Sequence, residues 1–191
     1  MMQALLNKEN NNELYYINIM VRNLDYQKVD EFFKSLAEKH VDIKDYCGTS
    51  AAELASKADS TDGIKSPILV FYKYSGRLSG SQKLTFNSRT IAFSILYSGV
   101  SIEDPVAILE AKTNAEIIGL EVLSRINVQS QMQDIGWLYN NITKETINYE
   151  EVDPEYAEDL VGMDFSFELK TNEPLVVTAS KWSDGDIFCT A

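Results

Sequence analysis

Two long apolar stretches in the middle of the chain constrain the fold more than any other feature. The first, "SPILVFYKY" (66–74), opens with a proline, whose missing N–H does least harm at the start of a strand. The second, "KLTFNSRTIAFSILYS" (83–98), is polar in its first half and apolar in its second. The loop between them, "SGRLSGSQ", is rich in glycine and serine, as mobile surface loops are. This pattern predicts two adjacent strands in a long hairpin, whose polar end leaves the body of the domain as an arm.

Helical patterns lie on both sides of the hairpin. Apolar residues recur every three or four positions in "LDYQKVDEFFKSLAEKH", and "AAELASKA" follows Ser50, which has capping-box spacing to Glu53. The longest predicted helix covers "DPVAILEAKTNAEIIGLEVLSRI", where Asp104 serves as the cap and Pro105 fits the first turn. The stripe that this helix is predicted to bury against the sheet consists of Val106, Leu109, Ile117, Leu120 and Leu123.

Further strands are predicted before and after these elements. In "GMDFSFELK" (162–170), apolar and polar residues alternate, which indicates one buried face and one wet face. Strands are also predicted for "ELYYINIMV" (13–21), "IGWLYNNI" and "ETINYEEV". Strands outnumber helices and the connections are short, so the chain is predicted to be α+β, with a mostly antiparallel sheet, a long hairpin and one long helix packed on its face.

The length of 191 residues suits a single domain. Residues 1–12 end in an asparagine cluster and are predicted to be disordered. The domain is predicted to span residues 13–172. Residues 173–191 mix apolar side chains with turn residues, which favours a C-terminal arm that docks on this body or on a neighbour.

The charge balance excludes some partners. The 17 Lys and Arg against 29 Asp and Glu give a net charge of −12, which opposes binding to phosphate backbones and to anionic membranes. No stretch approaches the roughly 18 apolar residues that span a bilayer, and the N-terminus lacks the apolar run of a signal peptide. Cys47 and Cys189 are expected to be thiols in a reducing compartment, with a disulfide as the alternative.

The densest run of charge lies between residues 145 and 168, with nine acids and no Lys or Arg. Its centre, the predicted acidic patch, consists of Glu150, Glu151, Asp153, Glu155, Glu158 and Asp159. A solvated surface is the simplest interpretation. A functional negative patch that faces DNA or a basic partner is the alternative, because DNA could slide past it without sticking. The spacing does not match a Ca²⁺ loop.

No catalytic, metal or cofactor motif is present. His40 is the single histidine, at the predicted end of the first helix, where a cation favours the helix dipole. A zinc shell would need a second histidine or a Cys-x-x-Cys, and the nucleophile-elbow and phosphate-loop patterns are missing. The sequence therefore predicts no enzyme and no cofactor. A hydrolase that uses unrecognised carboxylates is the weakest alternative.

Two aromatic side chains are the best single anchors for a partner. Trp137 lies near the first of the late predicted strands, and Trp182 lies in the C-terminal arm. Local core packing is the alternative for each of them.

The order of elements between residues 66 and 170 resembles that of the tail-terminator and head–tail connector proteins of tailed bacteriophages. A Pro-led strand, a hairpin to "RTIAFSILYSG", a long helix, an acidic connection and the closing strand "GMDFSFELK" follow one another. The resemblance covers more than half of the chain and depends on element order, since no signature motif is involved.

The resemblance implies a non-enzymatic ring subunit of the virion neck or tail, made in the host cytoplasm, in six or twelve copies around a channel through which DNA passes. Portal or connector proteins and tail proteins would be its neighbours. The hairpin residues Arg77, Leu78 and Lys83, with the Trp182 arm, would touch adjacent subunits or rings. The alternative from a different class is an acidic binding module, or DNA mimic, that inhibits a basic protein through the acids of residues 145–168.

Overall fold

The computed structural model describes residues 24–48, 51–60, 63–81, 84–152, 160–173, 175, 177 and 179–184. Two predictions for the N-terminus, disorder over residues 1–12 and a strand over 13–21, lie outside this part of the chain. Ser50 of the predicted capping box and Cys189 also lie outside it.

Five strands form one mixed sheet. They are β1 (Asp45–Cys47), β2 (Ile68–Ser81), β3 (Leu84–Ser98), β4 (Ile142–Glu151) and β5 (Leu160–Asn172), in the spatial order β1-β2-β3-β5-β4. β1 runs parallel to β2, and every other neighbouring pair is antiparallel. The helices are α1 (Tyr26–Lys39), α2 (Ala51–Ala58) and α3 (Pro105–Gln129), and a short 3₁₀ turn covers Ala179–Lys181. The predicted α+β class, with its long hairpin and one long helix on the sheet, is confirmed.

The hairpin of β2 and β3 lies within the sheet for most of its length. β5 pairs with β3 from Phe86 to Ser98, so the polar half of β3 has strands on both sides. Beyond β5, the Glu173 amide donates to the Thr85 carbonyl at 2.9 Å and continues the ladder almost to the hairpin tip. The projecting arm that the sequence predicts is therefore limited to the tip of the β2–β3 hairpin and to the side of β2 that faces away from β3.

The main core lies between one sheet face and the helices α1 and α3. Cross-strand pairing lines up aromatic rings from β2, β3, β5 and β4 on this face: Phe71, Phe93, Phe165 and Tyr149. Phe33 of α1 stacks on Phe71 with 5.0 Å between ring centroids. Such aromatic pairs contribute about 0.5–1.5 kcal/mol each beyond the area that they bury.

A smaller core lies on the opposite face at one end of the sheet. Its buried members are Cys47, Ile68, Val70, Leu96 and Leu160, and Leu54 of α2 packs against them. Beyond α2 this face is polar, as the alternation in "GMDFSFELK" predicts. Period two places Phe165, Phe167 and Leu169 in the main core and leaves Lys170 exposed.

An ion pair is buried at the far end of the main core face. The Arg89 guanidinium donates to the Thr171 hydroxyl and to the Glu173 carboxylate. Both charged side chains are less than a tenth exposed. The pair therefore links the end of β5 to β3, close to the tip of the hairpin.

Three sequence predictions need correction. "IGWLYNNI" forms turns up to Asn141 and is not a strand, whereas the strand predicted for "ETINYEEV" is confirmed within β4. β1 was not predicted, because three residues are too few to show an alternating pattern. The third correction concerns α3. Its cap is confirmed, since Asp104 accepts from the amides of Val106 and Ala107 at 3.0 and 3.1 Å, but its buried stripe is not the predicted one.

Of the predicted stripe on α3, only Leu123 is buried. Val106, Leu109, Ile117 and Leu120 point away from the sheet. The buried residues of α3 are Ala111, Ala115, Ile118, Gly119, Val122, Leu123 and Ile126. The small residues at positions 111, 115 and 119 let the helix approach the sheet closely, which the larger side chains would prevent. No described helix, α3 included, has the length and apolarity needed to cross a membrane.

Candidate self-association surface

The outward face of α3 carries a continuous row of large apolar side chains. We call it the α3 stripe and define it as Val106, Leu109, Thr113, Ile117, Leu120, Ser124 and Val128. Positions 106, 109, 113, 117, 120, 124 and 128 follow the helical period of 3.6, so they lie along one line on the helix. The five large apolar members are between 40% and 70% exposed. Two further large apolar side chains, Ile102 and Met132, are exposed beyond the two ends of the helix.

The two hydroxyl residues do not interrupt the apolar character of the α3 stripe. The Thr113 hydroxyl donates to the Leu109 carbonyl at 2.8 Å, and the Ser124 hydroxyl donates to the Leu120 carbonyl at 2.7 Å. Both polar groups are therefore satisfied within the helix. A partner that binds the α3 stripe can therefore cover Thr113 and Ser124 without providing new hydrogen bonds to their hydroxyl groups.

Polar and charged residues line one flank of the α3 stripe, at Glu110, Asn114, Glu121 and Arg125. Glu121 contacts His40 of α1, with 3.0 Å between Oε2 and Nε2. Among the residues that the structure describes, neither Glu110 nor Arg125 has an ion-pair partner. This flank therefore carries one acid and one base whose charges are available to a partner.

Leaving such a surface in water is unfavourable. A stripe of this length exposes on the order of 500 Å² of apolar area, which is near the upper end of what a soluble monomer leaves uncovered. Patches of this size that are bordered by polar residues usually mark binding surfaces. The sequence contains the signal, since α3 is apolar on most of its circumference, but its pattern predicts burial of the side that the structure leaves exposed.

The hairpin residues proposed as subunit contacts are spread over both faces of the sheet. Arg77 and Leu78 are both exposed on the distal part of β2, and Leu78 is 50% exposed. As adjacent residues of one strand, they point to opposite faces. Lys83 lies outside the described residues. Leu84, next to it, is also exposed, so Leu78 and Leu84 are separate apolar side chains on the described part of the hairpin.

The two tryptophans differ in their environment. Trp137 is half-buried in the turns after α3 and makes an edge contact with Phe32 of α1, with 5.3 Å between ring centroids. Its indole packs on the main core of its own chain, which favours local packing over a role as an anchor. Trp182 follows the 3₁₀ turn and is 58% exposed.

The described acids of the predicted patch do not form one surface. Glu150 and Glu151 are consecutive on β4, so their side chains leave opposite faces of the sheet. Glu150 lies across the ladder from Asp164, whereas Glu151 pairs with Lys112 of α3. Asp153, Glu155, Glu158 and Asp159 lie outside the described residues.

A cleft of about 740 Å³ lies between α1, β1 and α2. Its strongest polar groups bind each other: the Tyr46 hydroxyl donates to Asp30 Oδ1 at 2.7 Å, and Lys57 contacts Asp45 at 2.6 Å. Burial, assisted by Asp30, raises the pKa of Tyr46 far above its ordinary value. Such a phenol is a poor base or nucleophile near neutral pH.

His40, Asp42 and Glu121 bring three possible metal-ligand atoms within 4.8 Å of one another. The Asp42 amide donates to Nδ1 at 3.2 Å, which leaves the ring proton on Nε2 to reach Glu121. Both ring nitrogens are therefore engaged by protein groups. A metal ion would have to displace at least one of these contacts, so the arrangement favours a structural link between α1 and α3.

Searches for known relatives support none of these assignments, because neither a protein-family model nor a curated protein matches the sequence.

Proposed function

We propose that the protein is a non-enzymatic structural subunit that assembles with copies of itself. The observation that supports this proposal is the α3 stripe, a line of apolar side chains along a helix of 25 residues. A second copy is the occupant that best fits it, because the row and its charged flank are complementary to themselves when one copy is reversed.

The finer proposal is a ring in the neck or tail of a tailed phage, as a tail terminator or head–tail connector. Element order from residue 66 to 170 and the absence of a catalytic motif in the sequence favour it. Six or twelve copies would surround the channel, in contact with portal and tail proteins, and DNA would pass through without specific binding. The net charge of −12 suits a lumen to which DNA does not stick.

The alternative, an acidic module that mimics DNA, is less well supported. A mimic needs its acids on one surface so that their fields add. Glu150 and Glu151, which are the described part of the predicted patch, leave opposite faces of the sheet.

Light scattering of the purified chain over a range of concentrations tests the proposed function. We expect an oligomer that dissociates on dilution. Ile117→Asp should weaken it strongly, whereas Ile117→Leu should retain it because the surface stays apolar. Asn148→Asp, which adds the same charge to an exposed position on β4, should have no effect. A wild-type chain that remains monomeric at all concentrations, with or without portal or tail proteins, would refute the proposal. Electron microscopy of the oligomer would show whether it is a ring.

A further inference from the structure

We propose that two copies pair through their α3 helices in antiparallel orientation, about a two-fold axis at Ile117. This inference rests on the proposed self-assembly and specifies one two-fold contact between copies, in addition to any head-to-tail contact that would close a ring. It follows from the α3 stripe, whose small residues meet leucines when one copy is reversed, and from the charges on its flank.

Reversal about Ile117 places each of the two small hydroxyl residues opposite a leucine and pairs the other positions with an apolar side chain of similar size. The facing positions are Val106 with Val128 of the second copy, Leu109 with Ser124, Thr113 with Leu120, and Ile117 with itself. The two residue numbers of each pair add up to 233 or 234. All four pairs are therefore related by reversal about the same position, to within one residue. Each hydroxyl residue thus meets a leucine, as interdigitated helix packing requires.

A parallel pair would match poorly. Thr113 would then face Thr113 of the second copy and Ser124 would face Ser124, so two layers of the interface would contain only small side chains. Leu109 and Leu120 would each face the same leucine of the second copy. Layers of two small side chains would leave cavities, whereas layers of two leucines would be crowded. Cavities at an interface lose dispersion contacts.

The charges on the flank favour the same orientation. In an antiparallel two-fold pair, the flank of one helix lies beside the same flank of the other. Glu110 of each copy then faces Arg125 of the second copy, which gives two ion pairs from two residues without an ion-pair partner among the described residues. In a parallel pair these two residues would be 15 positions apart, or about 22 Å along the axis.

A two-fold contact cannot close a ring, because closure requires head-to-tail contacts. Pairing through α3 therefore adds two-fold axes, and any assembly that contains it has an even number of copies. Six or twelve copies satisfy this condition only as two facing rings with equivalent ends, which is a different arrangement from a single ring between portal and tail proteins. Two facing helices of this length bury an area at the low end for specific complexes, roughly 1,000 Å² in total. We therefore expect the isolated pair to dissociate in the micromolar range.

Cysteine cross-linking tests the orientation. Single substitutions Ile117→Cys, Val106→Cys and Val128→Cys are made in a chain with Cys189→Ser, while the Cys47 thiol stays buried. The antiparallel pair predicts that Ile117→Cys cross-links to itself. Val106→Cys should cross-link only when mixed with Val128→Cys. A parallel pair predicts instead that each variant cross-links to itself and that the mixture gives no additional product.

Charge exchange gives an independent readout by sedimentation. Glu110→Arg and Arg125→Glu should each weaken association at least tenfold at low salt, because like charges then face each other. The double exchange should restore it. Self-cross-linking at all three positions would overturn the antiparallel orientation. If light scattering shows an oligomer but none of these variants cross-links, the α3 contact is wrong and the proposed function survives. A monomer at every concentration refutes both.

Discussion

The ring of Phe165 lies against the backbone of Gly119, in the space that a Cβ atom at that position would occupy. Phe165 also stacks on Phe93, with 5.2 Å between the ring centroids. Glycine in the middle of a helix lowers helix stability by about 1 kcal/mol relative to alanine. Here the close contact with the sheet compensates, and it fixes which side of α3 faces outward.

Gly119→Ala should therefore destabilise the protein, although alanine is the better helix former. The added methyl would overlap the Phe165 ring, and overpacking of this kind costs about 1–3 kcal/mol. Urea unfolding followed by circular dichroism measures the change. Gly136→Ala is the matched control, since an added Cβ there has open space around it. A Gly119→Ala variant as stable as wild type would contradict the packing.

Removal of one partner of the buried Arg89–Glu173 pair should be costly. Arg89→Met leaves the Glu173 carboxylate without its guanidinium, and loss of one member of a buried pair typically costs about 3–5 kcal/mol. The double variant Arg89→Met with Glu173→Gln should lose less than the sum of the two single variants. The pair of Lys112 and Glu151, in which the Glu151 side chain is exposed, should change the free energy of unfolding by less than about 1 kcal/mol when it is truncated in the same way.

The Cys47 thiol should react slowly in the folded protein. Burial, with a contribution from the nearby Glu53 carboxylate, raises its pKa to about 11, and its side chain has no exposed surface. Since the thiolate is the nucleophile, alkylation by iodoacetamide at pH 8 should be at least about 100-fold slower than in guanidinium chloride. Mass spectrometry of the Cys47 peptide follows the reaction. Equal rates in the two conditions would show that the small core is open.

Stability should fall at alkaline pH. The pKa of Tyr46 is raised in the folded state by burial and by Asp30, so the unfolded chain loses this proton first. The contribution is complete below the ordinary tyrosine pKa of about 10 and is lost as the pH rises above it. Tyr46→Phe should flatten the decline of the melting temperature between about pH 9.5 and 11.5. An unchanged slope would indicate that another group controls it.

Charge reversal at Glu150 and Glu151 separates the assembly proposal from the DNA-mimic alternative. Glu150→Lys would place a cation opposite Asp164 and should stabilise the sheet by about 0.2–1 kcal/mol. Glu151→Lys would break the contact with Lys112 and should destabilise it slightly. We expect neither variant to change the oligomer measured by light scattering. A mimic would instead lose its basic partner in both variants, with a steep dependence on salt.

Several elements followed from local sequence alone. The alternation in β5, the period of α1, the Asp104 cap of α3 and the two strands of the hairpin are all present where the pattern predicts them. Each depends on interactions between residues that are close in sequence, so a single stretch of chain contains the whole signal.

Tertiary structure decided the rest. β1 forms because its three residues pair with the edge of β2. Arg89 binds the carboxylate of Glu173, which is 84 positions away in the sequence. The orientation of α3 is the clearest case, because a helix with apolar residues on most sides has no single face that its own sequence selects. The small residues of α3 face the sheet because Gly119 leaves room for the ring of Phe165. The larger side chains of the α3 stripe therefore point outward.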